Sequence, residues 1–265
     1  MPEQAPSEEL LAPFRDLRAR KGQQREDFIV EGVLAVERLL DSAYEPLSLV
    51  CTPSQRERLA PALAGVRCPV IEMPRKAIAE LAGFDFHRGV LACARRPALR
   101  TELDPPELEA LRMRERATIV VAEALADPRN LGALVRNAAA FGVDLLIADA
   151  RGADLLSRMA IRASVGNVFR LPTLVSPNVA ASVARLRHEL GARIVAATPE
   201  PSAVALRAFE APAKQVLLVG NEGEGLSSEL LALADARVKI PVAAASDSLN
   251  VAAATAVLLY ELTRA

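Results

Sequence analysis

The sequence predicts an α/β protein with two domains, and three observations support this prediction. Short runs of β-branched residues alternate with helical patterns over residues 116–265, which predicts a parallel sheet with helices on both faces. A shorter alternation of the same kind covers residues 1–96. Residues 97–115 are charged, contain three prolines and show no strand pattern, so we interpret them as a linker with one or two helical turns. A surface helix inside one domain is the alternative.

The amino-terminal elements follow from the spacing of apolar residues. Leu10, Leu11, Phe14 and Leu17 recur at helical intervals and predict an amphipathic helix over 8–20. Apolar runs predict strands at 28–30, 47–51, 66–71 and 89–94, and helical patterns predict helices at 33–40 and 76–81. These elements form a compact α/β unit.

The carboxyl-terminal elements alternate throughout. Strands are predicted at 118–121, 145–147, 194–196, 216–219 and 238–240, and helices at 131–141, 179–190, 227–233 and 251–262. Ligands of parallel sheets bind at the carboxyl ends of the strands. We therefore expect chemistry in the loops after Val121, Ala196, Val219 and Ile240.

The composition excludes several classes of protein. The 32 Lys and Arg nearly balance the 33 Asp and Glu, so a net charge of -1 excludes a chain that grips nucleic acid or membrane over its whole surface. Aromatic residues make up 3% with no Trp, which argues against binding by base stacking. Three cysteines without a C-x-x-C pair and two distant histidines predict no metal site. Because we find neither a signal pattern nor a membrane span, we expect a cytoplasmic protein.

The loop at 127–132 leads into a predicted helix. Asn130 is suited to cap that helix. Arg136 lies roughly 140° around the helix from Leu131 and therefore points away from the core face. Taken alone, this pattern is better explained by a solvated arginine.

Residues 220–225 form a glycine-rich loop directly after the predicted strand 216–219. The spacing G-x-x-G-x-G is not the dinucleotide fingerprint, and Glu222 and Glu224 would repel a pyrophosphate. The loop suits a positively charged ligand without phosphate. The alternative is a tight strand-to-helix turn in which the glycines serve only to allow a positive φ.

The third loop begins at Ile240-Pro241 and ends in Ser248-Leu249-Asn250. Ser248 could simply cap the last helix. Asn250 would then fall in the first turn, where asparagine is a poor helix former. A polar residue tolerated at that point suggests a functional role.

Together the three loops resemble SpoU/TrmH-type RNA 2'-O-ribose methyltransferases of the SPOUT class. The resemblance rests on N-L-G-A-L-V-R at 130–136, on L-V-G-N-E-G-E-G-L at 218–226, and on I-P and S-L-N-V at 240–241 and 248–251. It implies a parallel sheet closed by a deep trefoil knot, which nothing in the periodicity indicates. The family often has serine after S-L-N-V, whereas this chain has Ala252, so we expect no role for that hydroxyl.

The resemblance also implies the contents of the site. S-adenosylmethionine would contact Gly220, Ile240 and Leu249, with Thr198 as a weaker candidate. Arg136 would hold the adjacent phosphate and the ribose 2'-oxygen, because an arginine stays protonated at ordinary pH and so stabilises an alkoxide better than it accepts a proton. A role as general base is the alternative. The other catalytic residues would be Asn130, Glu222, Ser248 and Asn250.

The amino-terminal domain matches the same family. Many members carry an RNA-binding domain that resembles ribosomal proteins, with F-x-V-E-G, here at 28–32, and H-x-G-x-x-A, here at 87–92. This layout is similar to that of bacterial 23S rRNA ribose methyltransferases and their antibiotic-resistance relatives. A basic segment before the first motif would contact RNA phosphates, although a solvated helix end is the alternative. Its basic residues are Arg15, Arg18, Arg20, Lys21 and Arg25.

The resemblance therefore predicts a homodimeric RNA 2'-O-methyltransferase, without metal or membrane, that acts on 23S rRNA. The alternatives are a tRNA 2'-O-methyltransferase and a non-catalytic RNA-binding or ribosome-assembly protein. The joint presence of Asn130, Arg136, Glu222 and Asn250 argues against the non-catalytic alternative. A nicotinamide dehydrogenase is disfavoured because no G-x-G-x-x-G follows an early strand. The apolar helix at 251–262 would support the dimer or pack only on its own sheet.

Overall fold

The computed structural model describes residues 7–18, 25–243 and 249–264. The chain divides into two compact units, a first unit of Met1–Ala98 with Leu156–Arg170 and a second unit of Leu99–Leu155 with Leu171–Ala265. The strands are β1 (Asp27–Glu31), β2 (Pro46–Cys51), β3 (Val70–Glu72), β4 (Val90–Arg95), β5 (Ala117–Ala122), β6 (Leu145–Asp149), β7 (Thr173–Ser176), β8 (Arg193–Ala197), β9 (Val204–Ala205), β10 (Lys214–Val219) and β11 (Ala236–Lys239). The α-helices are α1 (Glu8–Leu11), α2 (Val33–Leu40), α3 (Pro53–Leu63), α4 (Arg75–Ala82), α5 (Pro105–Met113), α6 (Pro128–Ala140), α7 (Arg158–Ala163), α8 (Val179–Leu190), α9 (Ser228–Leu233) and α10 (Val251–Leu262).

The first unit contains a four-stranded sheet in the order β1-β4-β2-β3. Strand β4 pairs antiparallel with β1 and β2, and β2 pairs parallel with β3. Helix α7 packs against β1. Phe14, Ile78 and Phe86 are fully buried in the core of this unit.

The second unit contains a parallel sheet of seven strands in the order β7-β6-β5-β10-β8-β11-β9. Ile119 and Val121 pack with α5, α8 and α9 in one core cluster. Val120 and Leu217, which alternate with such residues along their strands, are equally buried, so both faces of the sheet are covered. Helices α6 and α10 pack against each other. The predicted α/β class and parallel sheet are confirmed.

The helix predicted over 8–20 is shorter than expected. Helix α1 ends at Leu11 and a 3₁₀ turn, Ala12–Phe14, follows it. Pro13 lacks a backbone N–H and restricts the residue before it, which ends the α-helix. Asp16 then takes a positive φ of 43°, so the chain turns there. The apolar residues Phe14 and Leu17 are buried as the periodicity requires, but not on one continuous helix.

The predicted linker at 97–115 contains a helix of the second unit. Asp104 and Glu107 form a capping box at the start of α5, and Leu111 is buried in the core shared with α8. Prolines at the first positions of this helix are compatible with it because those N–H groups need no helical partner.

The predicted domain at 116–265 is interrupted in the structure. Leu156–Arg170 belongs to the first unit, where the Phe169 ring lies 5.9 Å from Phe28 and 5.2 Å from Tyr44. The apolar contacts of this segment are therefore made with residues more than a hundred positions away, which no local pattern reveals.

Candidate active site

A cavity of about 800 Å³ lies at the carboxyl edge of the sheet in the second unit. Its walls are the loops that follow β8, β10 and β11, together with the first turn of α10. These loops meet because parallel strands direct all their carboxyl ends to one edge. The loops in which the sequence predicts chemistry thus enclose a cavity large enough for a small ligand.

The glycine loop approaches its own end too closely for a side chain at Gly220. A Cβ atom built there would overlap the carbonyl group of Gly225 and lie 2.5 Å from the backbone nitrogen of Leu226. Asn221 and Gly225 exchange two backbone hydrogen bonds of 3.0 Å, and the Asn221 side chain accepts from the N–H of Gly223 at 2.8 Å. A positive φ explains Gly225, at 74°, but close approach of the backbone explains Gly220.

Three predicted catalytic residues from three loops form one hydrogen-bonded chain. The Asn130 amide donates to Glu222 at 2.8 Å, and the Asn250 amide donates to the Asn130 oxygen at 2.9 Å. Residues 92 and 120 positions apart in sequence are thereby joined at the wall of the cavity. Asn130 donates through its amide nitrogen and accepts through its amide oxygen, so its side chain can take only one orientation. Asn250 donates through its nitrogen, and its oxygen accepts from the backbone, so its orientation is also fixed.

Two helix caps differ from the prediction. Helix α6 begins at Pro128 and its cap is Asp127, whose side chain accepts from the N–H of Arg129, so Asn130 lies in the first turn. The Arg129 guanidinium lowers the pKa of the Asp127 carboxyl. Helix α10 is capped by Asn250, whose oxygen accepts from two backbone N–H groups. Because Asp127 caps α6, the Asn130 side chain is not needed as a cap and lines the cavity instead.

Arg136 does not line the cavity. It is exposed on α6, about 9 Å along the helix axis from Asn130, as six residues at 1.5 Å each require. The adjacent Asn137 donates to the carbonyl of Ala252 at 2.8 Å, which holds this turn of α6 against the first turn of α10. Within the described parts of the chain Arg136 makes no ion pair or side-chain hydrogen bond, so its charge remains available to an anionic ligand.

The four predicted cofactor contacts are brought together. Gly220, Ile240, Leu249 and Thr198 all line the cavity. The predicted catalytic residue Ser248 lies outside the described residues, as does part of the loop that would close the trefoil knot. The knot therefore stays a prediction.

The charge around the cavity is mainly negative. Glu200, Glu222 and Glu224 line it, against the single ammonium group of Lys239 among the described lining residues. Arg237 pairs with Glu200 at 2.7 Å, so the negative charge facing a ligand comes chiefly from Glu222 and Glu224. Lys239 also donates to the backbone carbonyl of Pro201. Such a wall favours a ligand with a positive charge and disfavours a pyrophosphate.

Sequence reasoning missed a buried carboxylate pair that supports the glycine loop. Glu123 and Asp149 follow β5 and end β6, and both are almost fully buried. Glu123 accepts from the N–H of Ser227, the cap of α9, at 2.8 Å. Arg151 binds both carboxylates, and its pKa is raised chiefly by Asp149. The position of acidic residues at strand ends was the available signal.

The predicted RNA-binding segment is only partly available for RNA. Arg15 forms an ion pair with Glu8 at 2.6 Å, and Arg25 pairs with Asp27 at 3.7 Å. The Arg18 guanidinium lies over the ring of Phe84, 5.9 Å from its centre. Arg20 and Lys21 lie outside the described residues.

Comparison with known proteins identifies the family. The SpoU rRNA Methylase family matches residues 117–260. The chain belongs to this family. A protein of Mycobacterium tuberculosis described as an uncharacterized tRNA/rRNA methyltransferase is 37% identical over 98% of this chain and 90% of its own length. The 23S rRNA (guanosine-2'-O-)-methyltransferase RlmB of Salmonella typhimurium is 30% identical over 89% of this chain and 98% of its own length.

A solved structure gives the same result for the fold. The AdoMet-bound rRNA methyltransferase of Sinorhizobium meliloti superposes with a TM-score of 0.74 at 29% identity, covering 89% of this chain and 87% of that one. The predicted resemblance and the SpoU fold class are therefore confirmed. Among the described residues no helix is long and apolar enough to cross a membrane, and no group of acidic, histidine and cysteine side chains is placed to hold a metal ion.

Proposed function

We propose that this SpoU-family RNA methyltransferase methylates a ribose 2'-hydroxyl, with 23S rRNA as its substrate. The observation that carries the proposal is the hydrogen-bonded chain of Asn130, Glu222 and Asn250 at the wall of the cavity. Three polar residues from separate loops have no need to meet at a cavity for the sake of folding alone. A non-catalytic RNA-binding protein would have no use for this arrangement.

S-adenosylmethionine is the cofactor, and the cavity fits it. When bound, it supplies an electrophilic methyl group on a positively charged sulfur. The close turn at Gly220 leaves backbone groups facing the cavity, and Glu222 and Glu224 favour the positive charge. Ile240, Leu249 and Thr198 are the other residues that would hold the cofactor.

The described residues support a mechanism of orientation and charge stabilisation. Arg136 keeps its proton at ordinary pH, so its guanidinium can bind an RNA phosphate and stabilise the developing 2'-alkoxide. Asn130 is oriented by Glu222 and Asn250 and can position the ribose beside that charge. Ser248 would complete this set.

The proposed target is ribosomal RNA because RlmB, which is named for 23S rRNA, matches nearly the whole chain. The M. tuberculosis relative is described for both tRNA and rRNA, so a tRNA substrate is the second candidate. We further propose that the first unit binds RNA and that the enzyme is a homodimer. Val257 and Tyr260, exposed apolar residues on α10, offer surface for a second copy.

The test is to map 2'-O-methyl groups in total RNA from cells with and without the gene. One ribose should lose its methyl group in the deletion strain and regain it with the wild-type gene. The identity of that RNA decides between rRNA and tRNA. An unchanged set of 2'-O-methyl groups, or a lost methyl group that belongs to a base, would contradict the proposal.

Complementation with Arg136→Ala separates catalysis from binding. We expect turnover to fall by about 10²–10³-fold, as for loss of a charge-stabilising donor. The Kd for S-adenosylmethionine should not change, because Arg136 does not line the cavity. Arg185→Ala is the matched control, since Arg185 is paired with Glu102 at 2.9 Å on α8, and it should restore methylation. Near-normal methyl transfer by Arg136→Ala would overturn the assignment of Arg136.

A further inference from the structure

The first unit buries one carboxylate beneath three arginines. Glu31, at the end of β1, is 3% exposed. Its oxygens lie 3.5 Å from Arg88, 3.4 Å from Arg158 and 3.5 Å from Arg162. Arg158 also lies over the ring of Phe84, 4.8 Å from its centre.

Arg18 extends this group to four cations. Its guanidinium lies over the same Phe84 ring as Arg158. Burial lowers the pKa of Arg158, the charge of Glu31 opposes that shift, and the charges of Arg162 and Arg18 add to it. We refer to Arg18, Arg88, Arg158 and Arg162 as the arginine cluster.

The charge of the arginine cluster exceeds what Glu31 can neutralise. A carboxylate carries one negative charge, whereas the cluster carries four positive charges. Within the part of the chain that the structure describes, the cluster forms no ion pair with any other carboxylate. The contacts to Glu31 are longer than the 2.7–2.9 Å typical of strong charge-assisted hydrogen bonds. Most of the guanidinium N–H groups therefore remain free for a ligand.

The accessibility of the cluster differs from that of Glu31. Arg88 and Arg162 are 46% and 54% exposed, and Arg158 is 25% exposed. Arg158 and Arg162 are four residues apart on α7, so they lie on one side of that helix. Arginines that are bound to a buried carboxylate on one side and exposed to solvent on the other are suited to bind an anion with several oxygens.

The cluster also explains two motifs that the cavity leaves unused. Glu31 and Gly32 end the F-x-V-E-G motif, and Arg88 belongs to the H-x-G-x-x-A motif. Gly32 has a φ of 96°, and a Cβ atom there would lie 3.1 Å from the Arg88 guanidinium. Glycine at this position thus leaves space for Arg88 beside Glu31.

We propose that the arginine cluster is a binding site for the phosphates of the RNA backbone, positioned by Glu31. The proposal rests on the proposed function in that the substrate is RNA. Guanidinium groups bind phosphate oxygens through paired N–H donors, and such contacts fix the position of RNA without reading its sequence. Two of the four arginines come from α7, far in sequence from the basic segment that the sequence indicated.

The first test measures RNA affinity as a function of salt. The full-length protein is titrated into a fluorescein-labelled RNA hairpin of 30 nucleotides over a series of KCl concentrations. Arg88→Gln and Arg162→Gln should each weaken binding about three- to tenfold and make the slope of log K against log salt shallower by roughly 0.7–0.9 for each phosphate that the variant no longer neutralises. Arg170→Gln is the matched control, because Arg170 lies in the same segment and is paired one-to-one with Asp41 at 3.0 Å.

The second test uses Glu31→Gln, for which we expect RNA affinity to rise rather than fall. Removing the carboxylate charge frees the arginines from competition, so RNA should bind more tightly, by about three- to tenfold. If the ion pairs were purely structural, Arg88→Gln, Arg162→Gln and Glu31→Gln would each lower the Tm and leave RNA affinity unchanged. If Glu31→Gln does not fold, Arg88→Gln and Arg162→Gln still test the proposal, because both positions are exposed. Their Tm values show whether these variants are folded.

The outcomes are separable from failure of the proposed function. Loss of RNA affinity and of salt slope in the arginine variants, with control-like behaviour of Arg170→Gln, supports the cluster even if no 2'-O-methyl group depends on the gene. Wild-type affinity and slope in both arginine variants overturns the cluster even if methylation is found. An equal loss in Arg170→Gln also overturns it, because the effect would then be a general one of charge.

Discussion

The cavity of the second unit and the arginine cluster of the first unit are built from opposite charges. The cavity has three glutamates in its wall and is shaped by backbone turns and amide hydrogen bonds. The cluster has four arginines, three of which contact one buried carboxylate while the fourth lies over the ring of Phe84. The first suits a small cation, and the second suits a polymer of phosphates.

This difference shows why the net charge was a poor guide to partners. A charge of -1 averages two regions of opposite sign and correctly excludes only a uniformly basic surface. The two regions also differ in how they would hold a ligand. The cavity is shaped by backbone geometry, which a single added methyl group disturbs. The cluster is formed by long side chains, which can be replaced one at a time.

The largest effect on this comparison is expected from Gly220→Ala. The added Cβ would overlap the backbone at Gly225, and overpacking of this kind costs about 1–3 kcal/mol, which is roughly 5–150-fold in affinity if the loop must move. Calorimetry with S-adenosylmethionine measures the loss. Gly65→Ala makes the same change where a Cβ meets nothing within 4 Å and should bind normally. Unchanged cofactor affinity in Gly220→Ala would show that the turn does not form the site.

A smaller effect is expected from Asn250→Asp, which separates the two uses of that side chain. Aspartate caps a helix as well as asparagine does, so the Tm should stay close to that of the wild type. The donor to Asn130 is lost, so turnover should fall about tenfold, in line with a lost hydrogen bond of about 1–1.5 kcal/mol. Wild-type turnover together with an unchanged Tm would show that Asn250 acts only as a cap.

The smallest effect is expected from Glu224→Gln. Glu224 is exposed at the cavity, where water screens its charge, so the Kd for S-adenosylmethionine should rise only about twofold. The product S-adenosylhomocysteine lacks the sulfonium charge, and its affinity should change less. Equal changes for both ligands would show that the carboxylate acts through loop structure and not through charge.

Elements with strong local signals were predictable from the sequence. Helices α2, α8 and α10 occupy the predicted ranges, because apolar spacing and the residues at their ends agree. Five strands of the second unit, β5, β6, β8, β10 and β11, also lie where predicted, whereas β7 and β9 were missed. The family motifs singled out Asn130, Glu222 and Asn250 as candidates before their hydrogen bonds were known. Their mutual hydrogen bonds follow from a topology in which the strand ends meet at one edge.

Features that depend on contacts between distant residues were not predictable. The interruption of the second unit by Leu156–Arg170 arises from packing such as that of Phe169 on Phe28. The arginine cluster depends on the same segment, so its charge could not be counted from any one stretch of sequence. The caps of α6 and α10 were also mispredicted. Asp127 and Asn250 have about the same capping propensity as Asn130 and Ser248, so the sequence does not decide between them.

We propose that the cofactor and RNA bind at two separate sites of opposite charge, and a single set of titrations tests this proposal directly. S-adenosylmethionine and the labelled RNA hairpin are each titrated into the wild type, Gly220→Ala and the double variant Arg88→Gln/Arg162→Gln. We predict that Gly220→Ala loses cofactor affinity and keeps RNA affinity, and that the double variant does the reverse. Loss of both affinities in either variant, with the fold intact by Tm, would contradict the separation of the two sites.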